Sequence, residues 1–517
     1  MKKSFFILSI SAVALGIILR FVFLSVSFEY DELFTAVTSN PQVPFSYIWT
    51  HYLMVDVHPP LHNALLWVYN HFVPYGPEWT LRLPSLLFGL LALWEGWKLF
   101  PRYLGRTNRW LFLLLLSCNF YLIFYSQHAR AYSLILCAAV PFTFLYLKFA
   151  RYIFKNRAIP LKQWMLYGFF ALVLCWSHYF GALFFGLCST VLFVLAWHYK
   201  RNLKLFIIIP LVVFILFLPW LIPNLLQNIS QSRFGGNWWA NQPLSFYLLF
   251  ITWVLFFFSH MAAFICLVLL GIMTIVKQHF FPDYHGKWPY RREIFLLLIP
   301  IVLAAIFVLI MSVKIYWLIW RYFIPFIPSL YLFVCLFVGP LCRKYTVAFG
   351  VFLLFVAFSL CFTLCSYQAS RKSELFHSRG AMQLFKKAFP DKELFVVAIE
   401  AFPQESMAPM YSFYLHHQFG MNTKVTEVYS LDKEEFEKIV DRQQDGVFWM
   451  PNCDSMKIEE IMAKWNRNVG FFAQYERTCF LLVAGKDRKT IDPNLQEDYQ
   501  NRFMTASKQW LAERDKR

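Results

Sequence analysis

Residues 4–37 read SFFILSISAVALGIILRFVFLSVSFEYDELFTAV, and from Phe5 to Val26 the only charge is Arg20. A helix needs about twenty apolar residues to cross the roughly 30 Å of hydrocarbon in a bilayer. This run has that length. It ends abruptly in Glu29, Asp31 and Glu32. Carboxylates are costly in hydrocarbon, so the change marks where the chain meets water. A basic start and an apolar run also describe a signal peptide. Here the apolar run, Phe5 to Val26, is too long for the h-region of a signal peptide, so a retained first helix is expected.

The rest of the chain agrees with that reading. Of 517 residues, 59% are hydrophobic, 20% aromatic and only 15% charged. A soluble domain carries about 25% charged residues. Mean hydropathy is +0.48. The formal charge of +18 would point to nucleic acid in a soluble protein. In a membrane protein the excess of Lys and Arg in cytoplasmic loops accounts for it, so no nucleic-acid partner is expected. Nine of the eleven cysteines lie in apolar segments, where a thiol packs as a small hydrophobe. Cys453 and Cys479 lie in the polar C-terminal region. An oxidising exterior would let them pair; two free buried thiols are the alternative. No Cys/His spacing reads as a zinc site.

Apolar runs at the length a bilayer requires stand near 5–27, 82–99, 110–126, 131–149, 163–178, 182–198, 205–222, 246–276, 294–311, 322–341 and 346–367, about eleven spans. Alternate loops differ sharply in charge. One set holds roughly twenty Lys and Arg, from Lys2 and Lys3 to Arg343 and Lys344, and the other roughly five. That bias puts the N-terminus in the cytoplasm. With an odd number of spans, the C-terminal region lies outside. The expected organisation is therefore a transmembrane domain over 1–370 and an extracytoplasmic soluble α/β domain over 371–517. In a Gram-negative bacterium this means the inner membrane and the periplasm. Residues 28–81 form the first external segment. Within it PFSYIWTHYLMVDV and HPPLHNALLWVYNHFV have apolar residues at helical spacing but are short for spans, and fit interfacial helices. Past 371, ELFVVAIEA, DGVFWMP and CFLLVAG read as short buried strands. SRGAMQLFKKAF, DKEEFEKIVDRQ and SMKIEEIMAKWN read as amphipathic helices. Their alternation predicts some parallel pairing. The last 25 or so residues are polar and charged, with a frayed helix as the reading.

The expected outer face collects unusual residues. Asp56 and His58 stand in DVHPPLHN, and Arg82 in LRLPS opens the second span. Gln127, His128 and Arg130 in YSQHARAYSLIL make a very short turn. His178 and Tyr179 in CWSHYFG make another, and Arg321 and Tyr322 in WRYFIPFIP begin the tenth span. Charges at such depth are costly unless paired or solvated, and their recurrence on one side points to a site. The planar fork of arginine suits phosphate oxygens. Taken singly each residue has a plainer role: an arginine at a helix end commonly snorkels, and acids just outside a span are commonly solvated. Together they describe a pocket with carboxylate bases and arginines for a lipid-linked phosphate.

The ordered set of Asp-Glu after the first span, HPPL, RLPS, SQ-x-AR-x-Y, HYFG and RYFIPFIP resembles the family 39-like glycosyltransferases of the GT-C fold. That group includes the protein O-mannosyltransferases and the lipid A aminoarabinose transferases. The resemblance covers about residues 5–340. It implies transfer of a sugar from a polyprenyl-phosphate donor to a lipid, glycan or protein acceptor outside the cytoplasm. It further implies that Asp31 is the catalytic base; on the residues themselves Glu32 is the second choice, and Asp56, in the same outer segment, the next. Arg130, with Arg82 and Arg321, would face the donor phosphate. His58, Gln127, His128, His178, Tyr179 and Tyr322 would complete the pocket. Where relatives show Gln-Glu-Ala-Arg this chain has His128, which cannot act as an anionic base or hard-cation ligand. No cofactor is expected, and a divalent cation, though compatible with the acids, is not expected either. A secondary transporter or lipid flippase is the alternative. Against a transporter stand the absence of an inverted repeat and the clustering of polar residues at one face instead of the midplane.

Overall fold

The structure, a computed structural model, describes residues 3–230, 290–312, 320–372, 378–397, 408–428, 446–450, 469–475, 478–483 and 492–514, apart from positions 55, 57 and 345. The described chain divides into two compact units.

The first unit comprises 1–24, 53–65 and 82–368 and is helical. The chain begins with α1 (Lys3–Leu19). In chain order there follow α2 (Tyr30–Val37) and α3 (Phe45–Ile48), both in the second unit, a π-helical turn Trp49–Leu53, and α4 (Leu61–Asn70). Then come α5 (Glu78–Lys98), α6 (Arg106–Cys118), α7 (Phe120–Tyr125), α8 (Tyr132–Phe154), α9 (Leu161–Ser177), α10 (Tyr179–His198) and α11 (Lys204–Ser230). Beyond residue 289 lie α12 (Arg291–Ser312), a 3₁₀ stretch Trp320–Phe326, α13 (Ile327–Lys344) and α14 (Thr346–Lys372).

Among the described residues six helical segments are long and apolar enough to cross a membrane. They are 132–154, 179–198, 204–227, 291–311, 321–343 and 348–365. The other expected spans on described residues are also helical but shorter, interrupted or more charged. The expected span 246–276 lies outside the described residues. One interruption bears on the site. The segment expected to cross over 110–126 is two helices, because Asn119 turns extended (φ −72°, ψ 128°) and its side chain accepts from the Leu122 amide at 3.0 Å. Asparagine is a strong N-cap, so a single residue ends α6 and restarts the chain as α7. The central α8 is buried along most of its length.

Arg20, the lone charge of the first run, is wholly buried beyond the end of α1. Its guanidinium donates to Gly16 O at 2.6 Å, Ser117 O at 2.7 Å and Leu116 O at 2.8 Å. These are the carbonyls that the last turns of α1 and α6 leave over, and the negative ends of two helix dipoles favour a cation. Gly16 permits the approach, since a Cβ there would run into the Ser117 carbonyl.

The second unit comprises 25–52, 66–81 and 369–517. Its sheet has five strands in the order β2-β1-β3-β5-β4, with β1 Leu394–Val397, β2 Val425–Val428, β3 Gly446–Met450, β4 Val469–Tyr475 and β5 Thr478–Val483. β1 is parallel to both neighbours, with Leu394 opposite Val425 and Val447, and β5 is antiparallel to β3 and β4. The three expected strands are present and the parallel pairing is as expected. VTEV (β2), a four-residue edge strand, and VGFFAQY (β4) were not foreseen. Of the expected helices, SRGAMQLFKKAF forms α15 (Ser378–Ala388); the other two lie outside the described residues. A four-residue helix, α16 (Ala408–Tyr411), follows in the chain. The polar tail is α17 (Pro493–Arg514), 22 residues long. It is docked, with Tyr499 stacked on Phe389 at 4.9 Å and Phe503 against Phe480 at 5.1 Å. Cys479 is in a disulfide; Cys453 lies outside the described residues.

Much of segment 28–81 packs within this second unit. Phe28 is fully buried against Phe413 (5.7 Å between rings), and its amide donates to the Tyr414 hydroxyl at 2.6 Å. Arg379 pairs with Glu78 at 2.7 Å and donates to Ser25 O at 3.0 Å. The Tyr75 hydroxyl donates to Ala36 O at 2.7 Å, and Trp67 Nε1 to Val43 O at 3.0 Å.

Candidate functional site

In the first unit the polar residues of the short turns converge around the start of α8. Two of them hold backbone directly and a third does so through a buried asparagine. Gln127 Oε1 accepts from the Phe23 amide at 2.7 Å, and Arg82 donates to the carbonyls of Phe23 (3.0 Å) and Leu24 (3.2 Å). Both groups satisfy chain that has left α1 and lost its helical partners. Tyr179 donates to Asn224 Oδ1 at 2.6 Å, and Asn224 Nδ2 in turn donates to Met54 O (2.9 Å) and Asp56 O (2.7 Å). A buried asparagine on the apolar helix α11 thus fixes the loop that carries Asp56.

The centre of the cluster is His178, in the turn outside both α9 and α10. Its Nδ1 accepts from the Phe180 amide at 3.0 Å and so caps α10. An accepting Nδ1 carries no proton, so the neutral ring bears its hydrogen on Nε2. That Nε2 is buried with no hydrogen-bond partner among the described residues. Burial holds the His178 pKa well below the usual imidazole range, and the positive fields of His58, Arg321 and Arg130 act in the same direction. Such a buried, neutral donor can still give its hydrogen to an acceptor.

Around it stand the rings of Tyr322 (4.7 Å between centroids), His58 (5.5 Å) and Tyr132 (6.5 Å). His58 Nδ1 is 3.4 Å from Asp56 Oδ1. The Arg321 guanidinium lies 6.0 Å from the centroid of Tyr132. Arg130 is buried, and its carbonyl accepts from Ser85 Oγ at 3.3 Å. The same hydroxyl is 3.5 Å from Nε2 of His62. His62 is buried, and desolvation followed by the charge of Arg130 brings its pKa down to about 3. His128 is bracketed by Phe124 (4.6 Å) and Tyr125 (5.8 Å).

Asp56, His58, Arg130, His178, Arg321 and Tyr322 therefore meet, with Gln127, Arg82 and Tyr179 bracing the surrounding backbone. His62 and Asn224 are additions. The i, i+4 spacing of His58 and His62 in HPPLHN was a usable signal for the first. A lone asparagine in LPWLIPNLL was a usable signal for the second.

Asp31 and Glu32 belong to the second unit. They differ in environment. Glu32 is wholly buried, and its Oε2 accepts from the Glu29 amide at 3.1 Å, closing the first turn of α2. Asp31 is partly exposed in the same turn, and its carbonyl accepts from Thr35 Oγ1 at 3.1 Å. Adjacent helical residues point about 100° apart, which accounts for the contrast. Among the described residues, no group of three or more His, Cys, Asp or Glu side chains converges as a metal site.

No protein-family model matches the chain, and no curated protein matches it in sequence. Among solved structures it is similar to the crystal structure of ArnT from Cupriavidus metallidurans in the apo state. The TM-score is 0.54 at 14% sequence identity, over 92% of this chain and 97% of that one. ArnT from the same organism bound to undecaprenyl phosphate is similar with a TM-score of 0.53, at the same identity and coverage. At this identity the likeness establishes the fold. The chain is a polytopic α-helical membrane protein of GT-C-like fold with a small C-terminal α/β portion.

Proposed function

We propose that the chain is an integral-membrane glycosyltransferase that moves a sugar from a polyprenyl-phosphate donor to an acceptor at the outer face of the membrane. The observation that carries this reading is the convergence at one end of α8 of Arg130, Arg321 and the buried Nε2–H of His178, in a fold shared with ArnT. That an ArnT structure holds undecaprenyl phosphate supports a lipid-linked phosphate as the ligand here. The charge bias of the loops supports an N-terminus in the cytoplasm and an extracytoplasmic C-terminal region, in a bacterial inner membrane.

In this reading an acceptor hydroxyl or amine attacks the anomeric carbon. The bond from that carbon to the phosphate oxygen breaks, and polyprenyl phosphate departs. Arginines and the His178 donor stabilise the charge that develops on the leaving phosphate. A carboxylate takes the acceptor's proton. Asp31 is the first candidate, favoured over Glu32 because the Glu32 carboxylate is buried and engaged with the start of its own helix. Asp56, beside His58, is next. No step calls for a cofactor.

The test is transfer of radiolabel from polyprenyl-phosphate sugars in proteoliposomes holding the full chain, run across several sugars and across lipid, glycan and protein acceptors. Labelled acceptor supports the proposal. Passage of labelled lipid between leaflets with no labelled acceptor would assign the chain to lipid translocation instead.

A further inference from the structure

The same two helices that bring Arg82 and Arg130 to the site carry a second basic assembly at their other ends. From Tyr132 to Arg151 the rise along α8 is about 28 Å, close to the thickness of the hydrocarbon layer. There a cavity of about 590 Å³ opens between the end of α5, the turn 99–103, the end of α8 and the start of α9. Its rim holds Lys98, Arg102, Lys148, Arg151, Lys155 and Arg157, and no acidic residue lines it. Glu293 acts electrostatically on the Tyr103 hydroxyl in the cavity wall, yet no carboxylate of the described residues pairs with any of the six cations.

An excess of cations at one end of a bundle follows from loop charge alone. Convergence on one concavity does not. Loop cations that only orient a chain spread into solvent, whereas these six surround a recess whose inner wall is apolar, with Phe100, Phe144 and Phe170. Arg151 is held in place by the Tyr103 ring, 3.7 Å from guanidinium to centroid. At the mouth, Leu166 both lines the cavity and is exposed. The surface continues along α9 through exposed Leu161, Met165 and Phe169. A cationic rim, an aromatic wall and an apolar track leading away match an amphiphile, with its phosphate at the rim and its chains along α9. A free inorganic phosphate would leave the wall and the track without an occupant.

We propose that this cavity binds the phosphate headgroup of an anionic phospholipid from the leaflet at the Lys/Arg-rich end of the bundle. Arginine forks grip the phosphate oxygens in pairs, and basic pockets between membrane helices are suited to anionic headgroups. The site lies across the bilayer from the proposed donor site and takes no part in transfer, so its test is independent of activity.

The full-length protein, delipidated in mild detergent, is titrated with phosphatidylglycerol or with phosphatidylcholine of the same acyl chains and read by native mass spectrometry. The wild type is expected to retain phosphatidylglycerol at least about tenfold better, each surface cation contributing on the order of a several-fold preference. The Arg102→Gln, Lys148→Gln, Arg151→Gln triple variant is expected to lose that preference. A matched variant, Lys162→Gln, Lys200→Gln, Lys204→Gln, removes three exposed cations outside the lining residues and is expected to keep it. If the pocket triple fails to fold, the single variants Arg102→Gln and Lys148→Gln, both at exposed positions, are expected to give graded losses. Equal retention of the two lipids, or equal behaviour of pocket and matched variants, overturns the proposal. Displacement of phosphatidylglycerol by millimolar inorganic phosphate would overturn the lipid assignment and give the site to the free anion.

Discussion

Replacing His178 by Asn separates two jobs that one ring performs. Nδ1 caps α10 through the Phe180 amide at 3.0 Å, while Nε2 is the buried donor that has no partner among the described residues. Asparagine is itself a strong N-cap, so His178→Asn retains an acceptor for that amide. Its shorter side chain does not reach where Nε2 stood. The thermal midpoint is therefore expected to stay close to that of the wild type, whereas His178→Ala, which loses the cap, should cost about 0.5–2 kcal/mol. For ligand binding the loss is one hydrogen bond from a neutral donor to a charged acceptor, about 1.5–3 kcal/mol. At about 1.4 kcal/mol per decade, the Kd for undecaprenyl phosphate should rise by roughly 10- to 150-fold. The ring is held neutral by its surroundings, so this contribution should not vary between mildly acidic and mildly alkaline buffer. The measurement is a binding titration of undecaprenyl phosphate to purified protein in detergent, with melting curves in parallel. If His178→Asn melts normally and binds undecaprenyl phosphate as tightly as wild type, the ring is a helix cap and nothing more, and the placement of phosphate beside it is wrong.

Asp31→Asn should lower turnover by about 10²- to 10⁴-fold, the usual span for a general base, while leaving the melting curve unchanged; normal turnover would pass the role to Asp56. Glu32→Ala should show the reverse pattern. Loss of its contact with the Glu29 amide costs about 0.5–2 kcal/mol by analogy with other helix caps, visible as a lower melting temperature, with Glu32→Gln milder. Arg130→Lys should weaken donor binding because an ammonium cannot grip two phosphate oxygens in one plane; unaltered affinity would make Arg130 a positioning charge. His62 gives a pH signature. With a folded pKa of about 3 against about 6.5 when unfolded, the unfolded chain binds the extra proton between those values. Stability should therefore fall as the pH drops below about 6.5 and towards 3, and His62→Phe should flatten that decline in melting scans across the same range.

The helical membrane class was written in one stretch and repeated along the chain. A bilayer imposes a length and a polarity on whatever crosses it, so FFILSISAVALGIILRFVFL needs no tertiary partner to be read. Short strands whose LFV (394–396) and VFW (447–449) are buried were legible for a related reason, since a strand covered on both faces is apolar throughout. β2 was not legible, because VTEV is a four-residue edge whose pairing with β1 is a property of the sheet and not of its own composition. Nor was the break at Asn119, where one polar residue in an apolar run decides between one helix and two. The candidate site divides in the same way. The local motifs placed His58, Arg130, His178 and Tyr322 on short turns, and each turn alone admitted a plain structural role. Only the packing of helices far apart in sequence brought His58, His178 and Tyr322 within ring contact and added His62 and Asn224. Only it showed that Gln127 and Arg82 are engaged with the chain just past the first helix, and that Glu32, next to the partly exposed Asp31, is wholly buried. Hydrophobic periodicity is a one-dimensional record of what each segment must hide. Which polar groups then find one another is settled by contacts between segments far apart in sequence, and that information is absent from any single stretch of chain.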